Sequence, residues 1–257
     1  PAIECLMLGT HDGEAQISIE MLARHIGETR GQIGQFRNTL GHVGVGDEPR
    51  RVDHDLAAIE PEVLRDARLL AFTTGVIVPE SILAALGHGA YNFHPGPPQY
   101  PGWAPAHFAL YDGARIFGAV AHVMAARVDS GPIVGVESFI IPDKISVRGL
   151  EQIAYVRLAH LFWRMSRDLA CDPSPLAELP IAWCGIKSTR QMYREMCELP
   201  AGINAGELAR RIRAFHDDFR GIPLTVSVHG IRFQLATTAT QMPEAPQVVS
   251  PPLAAAS

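Results

Sequence analysis

This chain of 257 residues has no long apolar run, no excess of positive charge and few cysteines. No apolar run approaches the roughly 20 residues that a membrane-spanning helix needs, so no membrane span is expected. The 22 basic side chains are outnumbered by 27 acidic ones, and the pI is near 6.1. A nucleic-acid-binding protein usually has a high pI and a basic stripe. DNA is therefore not an expected partner, and tRNA is disfavoured.

The four cysteines show neither metal-ligand spacing nor the density of a disulfide framework. The N-terminal residues lack both a basic region and a signal-like apolar core. These absences favour a cytoplasmic protein with reduced thiols. Apart from His94, the histidines are scattered without ligand spacing, so no metal is expected.

The first two-thirds of the chain alternate between strand-like and helix-like segments. Apolar runs at 3–8, 67–72 and 90–94 predict strands, and helical periodicity follows each of the first two. This alternation predicts an α/β fold with a Rossmann-like, mostly parallel sheet. Residues 146–170 have apolar residues at helical spacing over the longest stretch of the chain, which predicts its longest helix.

The Pro-containing stretch 171–175 predicts a domain boundary. We expect a catalytic domain over 1–172, a small α+β C-terminal region over 173–241 packed on it, and a flexible tail over 242–257. Helices are predicted at 189–197 and 205–215, and a strand pattern covers 224–235. The apolar character of that last pattern could support a homodimer.

Two common nucleotide-binding motifs are absent. The chain has no Gly-x-Gly-x-x-Gly after its first strand and no phosphate-binding loop of the GxxxxGK[ST] type. NAD and nucleoside triphosphates are therefore disfavoured as cofactors.

Asn92 and His94 stand two residues apart at the end of a predicted strand, so their side chains share one face. In an open parallel sheet, ligands bind beyond the carboxyl ends of the strands. An amide donor beside an imidazole can stabilise an oxyanion and move a proton in the same place. Asp129 could hold the imidazole in one tautomer and raise its pKa. Taken singly, each of these residues also suits a structural role, and the pattern alone does not name a reaction.

The motif Asn92-x-His94-Pro95, a proline-rich loop closing at Gly102, and Asp129-x-Gly131-x-Ile133 follow in this order. This set resembles the 10-formyltetrahydrofolate-dependent formyltransferase family, which includes glycinamide ribonucleotide, methionyl-tRNA and amino-sugar formyltransferases. The family's loop is usually one residue longer and has Ser after His-Pro, whereas this chain has Gly96-Pro97-Pro98.

The resemblance implies that Asn92, His94 and Asp129 are the catalytic residues. It further implies that 10-formyltetrahydrofolate is the formyl donor and that no metal takes part. The residues that it assigns to the folate pocket are Val76, Ile77, Val78, Met124 and Ala126. Thr10, His11 and Trp103 are the candidates for contacting the acceptor, although Trp103 could equally anchor its loop in the core.

The resemblance implies formyl transfer to the primary amine of a small molecule. A nucleotide-linked amino sugar is the first expectation, and an amino acid or a hydroxylamine is the second. Hydrolysis of 10-formyltetrahydrofolate and transfer to a non-amine acceptor are alternatives. A fourth possibility is a folate-binding module without catalysis, against which the intact catalytic set argues.

Overall fold

The structure is a computed structural model that describes residues 59, 61–216 and 220–236, together with the backbone of 4–9. Its elements, in chain order, are β1 (Glu4–Gly9), α1 (Pro61–Arg65), β2 (Ala67–Phe72), α2 (Glu80–Ala85), β3 (Ala90–His94), α3 (Pro105–Asp112), β4 (Ile116–Val123), β5 (Ile133–Ile140), α4 (Val147–Cys171), α5 (Arg190–Cys197), β6 (Glu198–Leu199), α6 (Ala205–Phe215), β7 (Thr225–Val228) and β8 (Ile231–Gln234). The helical periodicity that follows the first strand and the predicted tail 242–257 lie outside the described residues.

The described strands β1 to β5 form one sheet in the order β1-β2-β3-β4-β5. β1, β2 and β3 pair in parallel, β4 pairs antiparallel with β3, and β5 pairs antiparallel with β4. Since β5 reverses β4, every strand of this sheet except β4 runs in the same direction. The predicted α/β class with a mostly parallel sheet is confirmed.

The long helix α4 covers one face of this sheet. Ser146 caps its N-terminus, with the side-chain oxygen accepting a hydrogen bond from the Gly149 amide. Phe162 packs from the helix onto Phe72 and Phe93 of the central strands, with ring centroids 5.9 and 4.9 Å away. This packing fixes β3, whose carboxyl end carries the candidate site.

Arg68 is fully buried where β2 meets the C-terminal end of α4. Its guanidinium donates to the carbonyl oxygens of His88, Asp168, Leu169 and Ser174 at 2.7–3.2 Å. Two of these carbonyls belong to the last turn of α4, where a cation also suits the helix dipole. Arg68 thus joins the sheet to the helix end.

Arg68→Met is expected to lower the free energy of unfolding by about 3–5 kcal/mol, because it leaves several carbonyls without their donor. Arg65→Met is the matched control. Arg65 is exposed and pairs with Glu62 at 2.7 Å, so its loss should cost less than about 1 kcal/mol. Chemical denaturation of both variants measures the difference, and equal, small losses would contradict this role for Arg68.

The predicted strand pattern at 224–235 is a hairpin of β7 and β8 rather than one strand. His229 and Gly230 form its turn, with φ angles of 50° and 80°. Consecutive positive φ values are typical of tight hairpin turns, and glycine tolerates them. The strand pattern did not indicate the turn within it, because His-Gly is a weaker turn signal than Asn-Gly.

Helices α3 and α6 meet around the buried His107. The His107 Nδ1 donates to the Ala214 carbonyl at 2.6 Å, and its Nε2 lies 3.2 Å from an Arg220 nitrogen. Phe215 stacks on the same ring at 5.7 Å. Residues after the predicted boundary therefore share a core with α3, while the boundary itself remains a prediction.

Burial, together with the charge of Arg220, lowers the pKa of His107 from 6.5 to about 3. Because the unfolded chain binds a proton that the folded chain does not, stability is present above pH 6.5 and falls as the pH drops toward 3. We expect His107 to cost about 1 kcal/mol of stability between pH 7.0 and 5.5. Denaturation at both pH values should show this loss in the wild type and a smaller one in His107→Asn. An unchanged pH dependence in the variant would contradict the assignment.

No helix in the described part of the chain is long and apolar enough to cross a membrane.

Candidate active site

The site lies at the carboxyl end of β3, where the strand leads into the loop 95–104. Asn92 and His94 face the same side, whereas Phe93 between them is buried in the core against α4. The alternation predicted from the sequence therefore places both polar side chains at the sheet edge where ligands bind in open α/β sheets.

His122 joins this pair from the neighbouring strand, directly opposite Asn92 in the β3–β4 register. Its Nδ1 donates to the Val123 carbonyl at 2.9 Å, so the Nε2 is free to accept from Asn92 Nδ2 at 3.1 Å. The imidazole of His122 thereby holds the orientation of the Asn92 amide. No sequence pattern pointed to His122, because its only local signal was an alternating position in a strand whose partner was not predicted.

Asp129 approaches the two imidazoles from the loop before β5. Its carboxylate lies 3.7 Å from His94 Nδ1 and 3.4 Å from His122 Nε2, and it accepts the Gly102 amide at 2.8 Å. The Asp129 backbone has φ = 48°, an uncommon conformation for a residue other than glycine. The loop thus holds this carboxylate in place at some conformational cost.

Burial favours the neutral form of Asp129, but the neighbouring imidazoles of His122 and His94 and the Gly102 amide together lower its pKa to about 2. Burial also lowers the pKa of His94, and it outweighs the opposing effect of Asp129. Asp129 does raise the pKa of His94, as expected, but the burial of the imidazole has the larger effect. Near neutral pH the site holds an ionised carboxylate beside a neutral imidazole.

A cavity of about 320 Å³ opens in front of these groups. Two buried atoms of the site, His94 Nε2 and Asp129 Oδ1, have no hydrogen-bond partner within the described residues. Buried polar atoms normally find a partner. A ligand with polar groups near both atoms would satisfy them.

The predicted folate residues line this cavity: Val76, Ile77, Val78, Met124 and Ala126. Trp103 also lines it, on the side where the loop 95–104 ends. Largely apolar walls around a few polar atoms suit a flat heteroaromatic ring with hydrogen-bonding edges. Thr10 and His11, the other predicted acceptor contacts, lie outside the described residues.

The segment 172–189, which connects α4 to α5, runs back across the site. The Cys184 amide donates to the Pro98 carbonyl at 2.9 Å, and the Ser188 amide donates to the Pro101 carbonyl at 2.9 Å. Trp183 packs edge-on against both imidazoles, with ring centroids 5.9 Å from His94 and 5.1 Å from His122. The sequence places most of this segment in the predicted C-terminal region, and no pattern within it pointed to Trp183.

Lys187 and Ser188 of this connecting segment also line the cavity. The Lys187 ammonium donates to the Val128 carbonyl at 2.7 Å and ties the segment to the Asp129 loop. These two residues carried no recognisable motif in the sequence.

Gly96 lies where the loop passes close to the His94 imidazole. A Cβ at this position would lie 2.7 Å from His94 Nε2 and 2.8 Å from Pro105 Cβ. Glycine therefore lets the loop pass directly against the imidazole.

Gly96→Ala is expected to displace the His94 ring or the loop and to lower the catalytic efficiency, kcat/KM, by about 10–100-fold. Gly202→Ala is the control, since a Cβ there meets nothing within 4 Å. Kinetics of both variants, with circular dichroism to verify folding, test this expectation. A fully active Gly96→Ala protein would show that the close approach has no functional role.

Within the described residues, no group of three or more His, Cys, Asp or Glu side chains is placed to hold a metal ion.

The α/β fold brings an amide, two imidazoles and a carboxylate together near the carboxyl end of β3. Residues 46–154, which include all four groups, match the family model described as formyl transferase. Over this segment the chain is similar to formyltransferases, in agreement with the resemblance found in the sequence.

Individual relatives agree with this placement. Methionyl-tRNA formyltransferase of Staphylococcus epidermidis is 30% identical over 159 residues, covering 55% of this chain and 51% of that protein. The chain thus spans about half the length of the curated relatives that it matches first.

Two solved structures share the fold. A candidate sugar N-formyltransferase from Mycobacterium tuberculosis aligns with a TM-score of 0.68 and 21% identity, over 95% of this chain and 100% of that one. An N-formyltransferase from Helicobacter canadensis, in complex with folinic acid and dTDP-3-aminofucose, aligns with a TM-score of 0.58 and 16% identity over 89% and 85%. At these identities the likeness establishes the fold.

Proposed function

We propose that this protein transfers the formyl group of 10-formyltetrahydrofolate to the primary amine of a small molecule. The observation that carries the proposal is the convergence of Asn92, His94, His122 and Asp129 on one cavity, within the part of the chain that matches the formyl transferase family.

The chemistry follows from these groups. The acceptor nitrogen attacks the formyl carbon, and the carbonyl π electrons move to oxygen as a tetrahedral intermediate forms. An Asn92 N–H donates to that oxyanion, and His122 keeps the amide oriented for this contact. His94 is neutral and has a buried Nε2 without a partner, so it can take the proton that the acceptor nitrogen loses.

Collapse of the intermediate breaks the bond between the formyl carbon and N10 of the folate. The imidazolium of His94 returns its proton to N10, and the products are the N-formyl acceptor and tetrahydrofolate. The ionised Asp129 stabilises the imidazolium between these two steps, since its carboxylate is 3.7 Å from His94 Nδ1. The proton that leaves the acceptor nitrogen thus passes through His94 to N10 of the folate.

The apolar wall formed by Val76, Val78 and Met124 is proposed to receive the pterin ring of the folate. Ala126 and Ile77 belong to the same two segments, whose main-chain groups would meet the polar edge of the ring. The proposed contacts of the acceptor are Trp103 and, following β1 in the sequence, Thr10 and His11.

The acceptor is proposed to be a nucleotide-linked amino sugar, with an amino acid or a hydroxylamine second. The solved relative from H. canadensis holds dTDP-3-aminofucose, which supports the first choice. Methionyl-tRNA is the competing acceptor suggested by the S. epidermidis relative. The acidic balance of this chain disfavours a tRNA partner.

Two further expectations stay proposals. The scarcity of cysteine favours a cytoplasmic location. Ile231 and Phe233 of β8 expose 61% and 52% of their surface, which supports a homodimer formed through the β7–β8 hairpin.

The deciding experiment measures release of tetrahydrofolate from 10-formyltetrahydrofolate by the purified protein, alone and with each candidate acceptor. Release that depends on one small-molecule amine establishes the transferase and identifies its acceptor class. Release only with methionyl-tRNA would replace the small-molecule acceptor, and release without any acceptor would indicate a hydrolase. Absence of both turnover and folate binding would overturn the proposal.

A further inference from the structure

A second cavity, of about 370 Å³, lies between α5 and the β7–β8 hairpin. Four arginines line it, namely Arg190, Arg194, Arg220 and Arg232, and Glu198 is the single acidic residue among the described lining residues. This concentration of positive charge stands out in a chain whose net charge is −5. We call this cavity the arginine pocket.

The arginines of the pocket differ in how they are neutralised. Arg220 pairs with Glu151 at 2.8 Å. Arg232 is 65% exposed, lies 3.8 Å from Glu198 and donates to the Thr225 hydroxyl at 3.2 Å. Arg194 has no ion pair with any described carboxylate within 4.0 Å, so the pocket keeps an excess of positive charge.

We propose that the arginine pocket binds the diphosphate group of a small molecule at a site separate from the active-site cavity. Guanidinium groups present forked pairs of N–H donors that match phosphate oxygens, and several of them around one concave surface favour a compact polyanion. Arg194 and Arg232 are the side chains free to reorient toward such a ligand, because neither is buried. Inorganic diphosphate and nucleoside diphosphates share the recognised group.

Arg220 connects the arginine pocket to the active-site cavity. Its guanidinium carbon lies 5.0 Å from the centre of the Trp103 ring, and Trp103 lines the active-site cavity. A diphosphate that draws Arg220 away from this ring would change the surroundings of the indole. Binding in the arginine pocket is therefore expected to alter Trp103 fluorescence.

The test is isothermal titration of the full chain with inorganic diphosphate and, separately, with UDP, followed in parallel by tryptophan fluorescence. We expect saturable binding with a Kd below about 1 mM at low salt. Arg194→Ala and Arg232→Ala should each weaken it about tenfold, since a charge-assisted hydrogen bond is lost. Both side chains are exposed, so both variants should fold, and circular dichroism verifies this.

Two controls locate the binding. Arg213→Ala removes an exposed arginine of α6 that does not line the pocket, and its affinity for diphosphate should match the wild type. Lys187→Ala removes the lysine of the active-site cavity and should also leave the affinity unchanged. Binding of UDP but not of inorganic diphosphate would overturn the proposal, because the recognised group would then not be the diphosphate.

Other outcomes overturn the proposal as well. Equal weakening by Arg213→Ala would indicate diffuse attraction rather than a site, and loss of binding in Lys187→Ala would place the diphosphate in the active-site cavity. Tight binding of a short RNA that diphosphate does not displace would assign the arginines to nucleic acid. None of these readouts requires formyl transfer, so failure here is distinguishable from failure of the proposed function.

Discussion

Asn92→Ala is expected to lower kcat for the proposed formyl transfer by about 100–1000-fold, the usual loss when one oxyanion donor is removed. The Asn92 amide is fixed by the 3.1 Å contact with His122, so its N–H groups are already oriented before the oxyanion forms. A donor held in this way costs little reorganisation during the reaction. Most of the loss should therefore fall on kcat rather than on KM.

The Asn92 prediction is checked by steady-state kinetics of three variants. Asn92→Asp keeps the size of the side chain but removes its donors, and it should be at least as impaired as Asn92→Ala. Gln99→Ala removes an exposed amide from the adjoining loop, outside the cavity, and should retain wild-type activity. Wild-type kcat in Asn92→Ala would remove this residue from the mechanism.

Asp129→Asn is expected to lower kcat by about 100-fold or more while the protein stays folded. Asparagine tolerates the positive φ of this position and can still accept the Gly102 amide, so the substitution removes the charge and little else. Without the carboxylate, the imidazolium that forms at His94 loses its counter-charge. Asp129→Ala would add backbone strain and is the less informative variant.

The pH dependence of the rate distinguishes the titration of His94 from that of Asp129. Because the pKa of Asp129 is held at about 2, it stays ionised throughout the measurable range. The pKa of His94 is lowered from 6.5, so the wild-type rate should be level at neutral pH and should fall only below pH 6.5. In Asp129→Asn this fall should move to still lower pH, since the attraction that favours the imidazolium is gone. An upward shift would contradict the proposed contact between the two side chains.

Local sequence patterns were sufficient to predict most of the fold. The apolar stripe predicted a helix over 146–170, and the structure has α4 at Val147–Cys171 with Ser146 as its cap. The helix predicted at 205–215 has those bounds in the structure, with Asn204 as its cap. These elements are predictable because periodicity and capping lie within a few neighbouring residues.

Only the part of the candidate site that lies on a single strand could be predicted from the alternation of side chains along that strand. Asn92 and His94 follow from one strand, and the family resemblance added Asp129. His122 could not be found in this way, because it meets Asn92 only when β4 runs antiparallel to β3. Trp183 could not be found either, since no local rule brings the segment 172–189 back to the loop 95–104.

The return of this segment also bears on how the protein folds. The amide of Cys184 bonds to a loop residue 86 positions earlier, Pro98, and the amide of Ser188 to Pro101. Contacts between such distant parts of a chain close large loops and tend to form after the local helices and strands. Docking of Trp183 over the histidines therefore requires a loop closure that the sheet itself does not need. The interior of the site would then be the last part of the molecule to exclude water during folding.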